Sequence, residues 1–155
     1  MRIVILFLMI NSIIFAAEVQ LTTDKIIVDE VNLKSRFVGN VVIIKGEDKL
    51  TADIVTIDFD KQREPLKYEA NGNVSVEIIM NKKRYHANGD NLLYDVILNR
   101  YTLTKNAFLE EINTSRKIYG DTIVVDQNSG TYTVDGSLEP AKFIFQIDDK
   151  KREDR

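Results

Sequence analysis

The residues that could do acid–base chemistry are few and are not grouped. His86, in "RYHANGD", is the only histidine, and as a general base it would need a carboxylate and a nucleophile that converge on it. The local spacing requires neither. The adjacent pairs Glu110-Glu111 and Asp148-Asp149 diverge on a strand, because successive side chains point to opposite faces. Without a Gly-rich phosphate loop or a Ser-centred elbow, the sequence predicts a protein that is not an enzyme.

Aspartates recur in pairs five positions apart, with apolar residues at alternate positions between them. The pairs are Asp53 and Asp58, Asp90 and Asp95, and Asp121 and Asp126. Five is an odd number, so the two carboxylates of a pair are expected on opposite faces of a strand, where they cannot readily share a metal ion. A calcium repeat would also place several oxygen ligands in a tight loop. We therefore expect polar strand ends, with no metal and no cofactor.

Composition limits the kind of protein these residues belong to. With 155 residues, 44% of them hydrophobic and 29% charged, the chain fits one globular domain with a sizeable core. A formal charge of −3, with both signs mixed along the chain, excludes a nucleic-acid partner, because that affinity requires concentrated Lys and Arg. There is no cysteine, so the fold must hold by burial and backbone pairing, without disulfides.

The first residues have the pattern of a secretory signal peptide. Met1-Arg2 is a short basic start, an apolar run follows, and small residues end it at Ala16-Ala17. We expect cleavage after Ala16, which gives a signal peptide of residues 1–16, although Ala17 is an alternative. An uncleaved anchor is the competing interpretation, but the run is interrupted by Asn11-Ser12 and is shorter than the roughly 20 residues that span a bilayer.

The rest of the chain consists of four imperfect repeats. Gly39, Gly72, Lys105 and Gly136 fall in register at intervals of 33, 33 and 31 residues, and each is followed by Asn or Ser. Around these positions apolar residues alternate with polar ones, as over residues 74–80, which is typical of strands with one buried face. Glycine at such a position permits positive φ or a bulge where a strand bends.

These repeats predict an all-β fold. No sustained helical periodicity follows the signal peptide, and turn signals such as Asn71-Gly72, Asn88-Gly89, Asn128-Ser129-Gly130 and residues 62–65 come at short intervals. A unit of about 33 residues could hold about four short strands with their turns. Stacked units would form an elongated β-roll whose inner faces make one apolar seam.

The segments "FVGNVVIIKGEDKLTADIVTID", "YTLTKNAFLEEI" and "IYGDTIVVD" closely resemble the lipopolysaccharide-transport protein A family, also called OstA-like. The resemblance runs from about Val19 to Phe145 and rests on recurring Gly-Asn-Val and Ala/Gly-Asp signatures. It implies a periplasmic antiparallel β-jelly roll, open at both ends, over residues 17–147. The last residues, "DDKKREDR", carry both signs and almost nothing apolar, so a charged flexible tail is expected at 148–155. Lys105 departs from the pattern, because it stands where the corner glycine is expected, and it could alter one bend.

The resemblance also implies a function and partners. Members bind the lipid A part of lipopolysaccharide and join head to tail into a bridge between an inner-membrane anchored transport subunit and an outer-membrane transport protein, each with a related β-roll. Val19 and Leu21 match the first strand of the family, where lipid contact is expected. Sequence does not separate groove from dry core among the inward candidates, which are Val19, Leu21, Val41, Ile43, Val55, Ile57, Val74, Val76, Ile78, Leu92, Tyr94, Leu103, Phe108, Ile123, Val125, Tyr132 and Val134.

Two other functions remain open at this point. A membrane-anchored relative, similar to lipopolysaccharide-transport protein C, would keep its N-terminus, and a structural β-roll would polymerise without lipid. Self-association is expected through the first strand, around 19–24, and the last, around 141–147, because terminal strands leave backbone groups unpaired. The basic patch Lys82-Lys83-Arg84 is expected in a hairpin, as a solubilising turn more than as a phosphate contact.

Overall fold

The computed structural model describes residues 18–148, so the predicted signal peptide and the tail beyond Asp148 lie outside the described residues. Within this range the chain forms strands and no helix, and therefore no helix long and apolar enough to span a membrane. The strands are β1 Val19–Thr22, β2 Lys25–Asp29, β3 Lys34–Lys45, β4 Asp48–Phe59, β5 Pro65–Met80, β6 Lys83–Asp95, β7 Arg100–Glu111, β8 Arg116–Asp126, β9 Thr131–Asp135 and β10 Lys142–Ile144.

Neighbouring strands pair antiparallel in the order β1-β3-β4-β5-β6-β7-β8-β10, while β2 also pairs with β3 and β9 with β8. The six long strands, β3 to β8, follow one another through short turns, as consecutive antiparallel strands can. The two-residue turn Asn81-Lys82 has positive φ at both positions, of 51° and 63°, which is the geometry that matches the twist of a hairpin. The basic patch therefore begins in a hairpin, as the sequence predicted.

Pairing is interrupted at the same level in every pair of long strands, which divides the sheet into two halves. In the first pair, Gly39 and Asn40 of β3 lie opposite the single residue Asp53 of β4. We call this line of interruptions the corner. Half-sheet I contains β1, β10 and the segments 41–45, 48–52, 74–80, 83–89, 107–111 and 116–120; half-sheet II contains β2, β9 and the segments 34–38, 54–59, 65–71, 91–95, 100–104 and 122–126.

A repeated contact builds the corner. Asn40 Nδ2 donates a hydrogen bond to Asp24 Oδ2 at 2.9 Å, and Asn73 Nδ2 donates to Asp53 Oδ2 at the same distance. Gly72 has φ of 80°, and a Cβ on it would lie 2.5 Å from Asp53 Oδ2. Glycine is required here for two reasons, because the backbone is left-handed and because the aspartate occupies the space of a side chain. The first aspartate of each predicted pair is thus a corner residue.

Each repeat contributes one bend to the corner, and the bends of the third and fourth repeats, called here the third and fourth corners, make a modified form of this contact. Lys105 adopts φ of 63° in place of a glycine, and Asn106 Nδ2 still donates to Asp90 Oδ2 at 3.1 Å. The pairing of β7 with β8 also breaks at this level as in the other repeats, so the bend is kept. In the fourth corner Asp121 Oδ2 accepts hydrogen bonds from the backbone N–H groups of Ser137 and Leu138, both at 2.6 Å.

The core lies between the half-sheets, and its side chains differ in size on the two sides of the corner. In half-sheet I three cross-strand pairs next to the corner each contain a small residue: Ala52 pairs with Val41, Gly89 with Val74, and Ala107 with Gly120. The first row of half-sheet II contains larger residues, including Leu92, Leu103 and Ile123, which are cross-strand neighbours. The row next to the corner in half-sheet I therefore holds smaller side chains than the first row of half-sheet II, and both rows are close-packed.

Three expectations about local structure were wrong. Each repeat supplies two long bent strands, and not four short ones, while the predicted turns at Asn71-Gly72 and Asn88-Gly89 lie inside β5 and β6. The carboxylates of a pair do not occupy opposite faces, because alternation restarts at the corner: Ala52 and Val55 are both buried although three residues apart. Asp53 and Asp58 therefore both lie away from the buried face.

Candidate functional site

Opposite the corner the half-sheets part and leave a cavity of about 650 Å³ between them. We call this open side the mouth. A volume of this size lies within the range of pockets that hold small organic ligands. The lining residues are Val19, Ile43, Lys45, Asp48, Lys49, Leu50, Glu64, Pro65, Tyr68, Ala70, Val76, Ile78, Leu92, Tyr94, Val96, Asn99, Tyr101 and Gln127.

The two walls of the cavity come from different half-sheets. Half-sheet I contributes aliphatic side chains, among them Ile43, Leu50 and Ile78, from β3, β4 and β5. Half-sheet II contributes a row of tyrosines on its inner face. This arrangement is possible because alternate residues of each strand face inward, so that every second residue of three or four strands meets the same space.

The tyrosine row consists of Tyr68, Tyr94 and Tyr101, which are direct cross-strand neighbours. The Tyr94 and Tyr101 rings stack with centroids 4.3 Å apart, and the Tyr68 and Tyr94 centroids are 5.9 Å apart. Tyr94 Oη donates a hydrogen bond to Asn99 Oδ1 at 3.0 Å. Such pairs offer a broad apolar surface with a polar edge at the solvent.

Burial raises the pKa of all three tyrosines, and the charge of Asp48 adds to this effect at Tyr94 and Tyr101. The phenols are therefore neutral at physiological pH, and the wall that they form carries no charge. It can contact hydrocarbon through the ring faces.

The charged residues of the cavity lining, Lys45, Asp48, Lys49 and Glu64, all lie at or next to the ends of strands. Lys45 and Asp48 are cross-strand neighbours at the hairpin between β3 and β4, and Glu64 is the last residue of the loop between β4 and β5. Asp48 Oδ1 accepts a hydrogen bond from the backbone N–H of Ile79 at 3.0 Å, which ties the hairpin to β5. Among residues 18–148 there is no group of three or more His, Cys, Asp or Glu that could hold a metal ion. The chemistry available in the cavity is apolar contact, with ions at its rim.

Six of the residues predicted for the groove line this cavity: Val19, Ile43, Val76, Ile78, Leu92 and Tyr94. Seven more lie in the buried core between the half-sheets and do not reach the cavity: Val41, Val55, Ile57, Val74, Leu103, Ile123 and Val125. Leu21, Tyr132 and Val134 are half-buried and pack against that core. Of the preferred pair Val19 and Leu21, the structure thus places only Val19 at the cavity.

Phe108 does not face inward, so its inclusion among the inward residues was wrong. Its neighbours Ala107 and Leu109 are buried, and alternation therefore directs Phe108 to the outer face. There its ring lies 4.9 Å from that of Tyr119 and 6.4 Å from that of His86, centroid to centroid. In this repeat the buried residue is Ala107, because Ala107 directly follows the corner, as the buried residues Val41 and Val74 do in the first two repeats.

Sequence reasoning missed twelve of the eighteen residues that line the cavity. Tyr68, Ala70 and Tyr101 occupy the aromatic or aliphatic positions that recur before each corner, and this pattern was a sufficient signal. Leu50 lies two residues before Ala52 on the same face of β4, and the alternation of this strand could also have indicated it. Loop and rim residues had no such signal, because nothing in the sequence indicates which loops border the mouth: Lys45, Asp48, Lys49, Glu64, Pro65, Val96, Asn99 and Gln127.

Comparison with solved structures shows the fold. LptH, described as the LptA homologous periplasmic component of the conserved lipopolysaccharide transport device from Pseudomonas aeruginosa, is similar with a TM-score of 0.75 and 21% identity. The similarity covers 84% of this chain and 96% of that chain. The predicted antiparallel β-jelly roll is thereby confirmed. Comparison with curated proteins finds no match.

A family model matches the chain and identifies its family, which the likeness in fold alone does not. The model described as "LptA/(LptD N-terminal domain) LPS transport protein" matches residues 20–131, which include β2 to β8 and every lining residue of the cavity except Val19. This match extends over well more than half of the chain, and it confirms the resemblance stated from the repeats. The chain belongs to the LptA/LptD N-terminal domain family of lipopolysaccharide-transport proteins.

Proposed function

We propose that this protein is a periplasmic carrier that shields the acyl chains of lipid A in the cavity between its half-sheets. The observation that carries the proposal is the cavity itself, an apolar space of about 650 Å³ with charged residues at its rim, in a chain of a lipopolysaccharide-transport family. An amphiphile fits this arrangement, with its hydrocarbon between the walls and its head group at the mouth.

The energetic need for such a carrier is large. Exposure of hydrocarbon to water costs about 0.8 kcal/mol per methylene, so one twelve-carbon acyl chain costs on the order of 10 kcal/mol when it leaves the membrane. Ile43, Leu50 and Ile78 on one wall and the tyrosine row on the other replace membrane hydrocarbon. Such contacts are not directional, so they suit binding that must also be released.

The open ends support a head-to-tail bridge. At one end Ile26 and Val28 of β2 lie on the inner face, yet their side chains are more than half exposed. At the other end Phe143 of β10 also lies on the inner face and is more than half exposed. A second copy would cover these apolar residues and extend the groove. The eight strands of the main path alternate in direction, so β10 of one copy and β1 of the next would continue the sheet antiparallel.

The bridge requires partners at both membranes. By the same edge pairing, an inner-membrane anchored transport subunit and an outer-membrane transport protein with related rolls would join the two ends. Export by cleavage of residues 1–16 would place the chain in the periplasm. Intact mass of the protein from the envelope tests this, because a chain that begins at Ala17 fits a soluble carrier, whereas an uncleaved Met1 would make it an anchored subunit.

The cavity is tested by filling it. Leu50→Trp should obstruct the space, because Leu50 lines the cavity and is half-buried, whereas Thr51→Trp on the same strand faces the other way. Native mass spectrometry should find lipopolysaccharide on the wild type and on Thr51→Trp, and at least about tenfold less on Leu50→Trp. A wild type that carries no lipid under any condition would leave only a structural roll, and equal loading of the two variants would exclude the cavity as the lipid site.

A further inference from the structure

A buried carboxylate stands on the inner face, away from the cavity. Glu111, at the end of β7, is 4% exposed, and its Oε1 atom accepts no hydrogen bond. Two cations approach it from different strands: Lys83 Nζ lies 3.4 Å from Oε1, and an Arg116 Nη atom lies 3.8 Å from Oε2. The transport of hydrocarbon does not require such a group, and a buried charge is costly unless it is paired.

The geometry of this cluster leaves the cations with unused hydrogen-bonding capacity. The side chains of Lys83 and Arg116 are about half exposed, at 51% and 48%, although the carboxylate beneath them is buried. An ammonium group has three donors and a guanidinium group five, and each cation makes one long contact with Glu111. The carboxylate therefore contacts both cations, and each of them has more donors than these contacts use.

The cluster lies beside the lipid cavity along the same inner row. Ile78, which lines the cavity, is the cross-strand neighbour of Tyr85, and Tyr85 is the neighbour of Glu111. With strands about 4.8 Å apart, Glu111 is two spacings, or roughly 10 Å, from Ile78. Burial raises the pKa of the Tyr85 phenol, and the Glu111 charge adds to this effect, which agrees with their closeness.

At this point the mouth is narrow. A Cβ on Gly130 would lie 2.7 Å from Asn81 Nδ2, so the β5–β6 turn of half-sheet I meets the turn after β8 of half-sheet II. A bulky polar group cannot enter between the half-sheets there. It can rest at the rim, where Lys83 begins β6 and Arg116 begins β8, with Lys82 in the adjoining turn.

We propose that Lys83 and Arg116, held together by Glu111, form an anion site that binds a phosphate group of the lipid whose acyl chains occupy the cavity. The inference rests on the proposed function and adds a polar subsite to it. A phosphate carries more than one negative charge at neutral pH and several acceptor oxygens, so it can bridge a guanidinium and an ammonium group. Glu111 offsets the repulsion between the two cations when the site is empty. The Lys83 part of the basic patch thus has a binding role beyond that of a solubilising turn.

The test compares lipid A that carries its phosphates with lipid A from which they have been removed, in titrations of the mature protein followed by native mass spectrometry. The variant Lys83→Gln/Arg116→Gln should bind the phosphorylated lipid about tenfold more weakly and the dephosphorylated lipid as the wild type does. Because this variant leaves Glu111 unpaired, the triple variant Lys83→Gln/Glu111→Gln/Arg116→Gln is measured as well and should show the same selective loss. The control Arg36→Gln/Lys61→Gln removes one Arg and one Lys from exposed positions and should change neither affinity.

The outcomes separate this inference from the proposed function. If the wild type binds both lipids equally well, or if the control loses as much affinity as the double variant, the phosphate site is excluded while the carrier function stands. If the wild type binds neither lipid, the carrier function fails and the subsite with it. Inorganic phosphate is titrated alone in parallel. Binding of that ion to the wild type, combined with equal affinity for both lipids, would assign the site to free phosphate and overturn its role in lipid binding.

Discussion

The same repeats make the corner and the mouth of the roll, but the repeats keep their residues more closely at the corner than at the mouth. At the corner three of the four repeats bring an aspartate against a bend in the next long strand, where Asn40, Asn73 and Asn106 make the same hydrogen bond. At the mouth the corresponding residues diverge, from Asp48 to Ile78, Tyr85 and Glu111 along half-sheet I. Half-sheet II keeps repeated tyrosines, Tyr68 and Tyr101, in the wall of the cavity. The repeated residues therefore set the geometry of the roll and one cavity wall, and the residues that break the repeat along half-sheet I make the Glu111 cluster.

The largest expected difference between the two regions is in stability. Leu103→Ala, in the buried row near the corner, should lower the free energy of unfolding by about 3 kcal/mol, because a side chain that is 1% exposed is replaced by a cavity. Leu50→Ala at the mouth removes the same atoms from a half-buried position beside an existing cavity, and it should cost less than half as much. Urea unfolding measures both. Equal losses would mean that the mouth is packed as tightly as the corner.

The corner glycines should show the next largest effect. Gly72→Ala forces a left-handed backbone on alanine and pushes Cβ against Asp53, so it should cost about 2 kcal/mol or more. Gly46→Ala is a matched control, because Gly46 has φ of 59° but a Cβ on it would meet no atom within 4 Å, and it should cost only the backbone part, about 1 kcal/mol. Similar losses in the two thermal unfolding curves would show that the aspartate contact does not contribute.

Lys105 tests the same corner in the opposite direction. Because Lys105 has φ of 63° where the other corners have glycine, Lys105→Gly should stabilise the protein by up to about 1 kcal/mol. Lys49→Gly, on a regular part of β4, should instead destabilise it by a similar amount, about 0.5–1 kcal/mol. Chemical denaturation of both variants and the wild type measures this. A Lys105→Gly variant less stable than the wild type would contradict the interpretation.

The smallest expected effect concerns the fourth corner at acid pH. Hydrogen bonds from the backbone N–H of Leu138, then of Glu139 and Ser137, hold the pKa of Asp121 below its ordinary value. A lowered folded-state pKa stabilises the protein above the unfolded-state pKa of about 4, and this contribution disappears as the pH falls through the folded value. The stability difference between wild type and Asp121→Asn should be constant above about pH 5 and shrink below about pH 4. A difference that grew on acidification would contradict this sign.

The fold could be predicted from the sequence because the corner repeats itself. Intervals near 33 residues, alternation of apolar residues and glycines at bends each follow from local backbone requirements, and together they predicted an elongated all-β roll. The family resemblance specified this roll as an antiparallel jelly roll. The partners at the corner were not predictable in the same way. Asp53 and Asn73 are 20 residues apart, and the change of alternation between Ala52 and Val55 appears only when the strands are paired.

The candidate site was predictable only in part, since core and cavity use the same kinds of residue. Leu92 and Leu103 are cross-strand neighbours with the same chemistry, yet only Leu92 reaches the cavity. The two residues lie at the same distance from the corner and differ in their strand, β6 for Leu92 and β7 for Leu103. Where the cavity ends along the row depends on the residues of both half-sheets, which the local sequence does not indicate. Phe108 was misplaced for a related reason, because its face depends on the level of the corner in β7.

The most direct test of lipid binding between the half-sheets places a photo-crosslinking amino acid at two aromatic positions in turn. Tyr94 lines the cavity at the mouth, whereas Phe108 lies on the outer face beside Tyr119. In cells that make lipopolysaccharide, irradiation should label the lipid strongly from position 94 and not from position 108. Labelling of equal strength from both positions, or from 108 alone, would show that lipid does not travel between the half-sheets and would contradict the central claim.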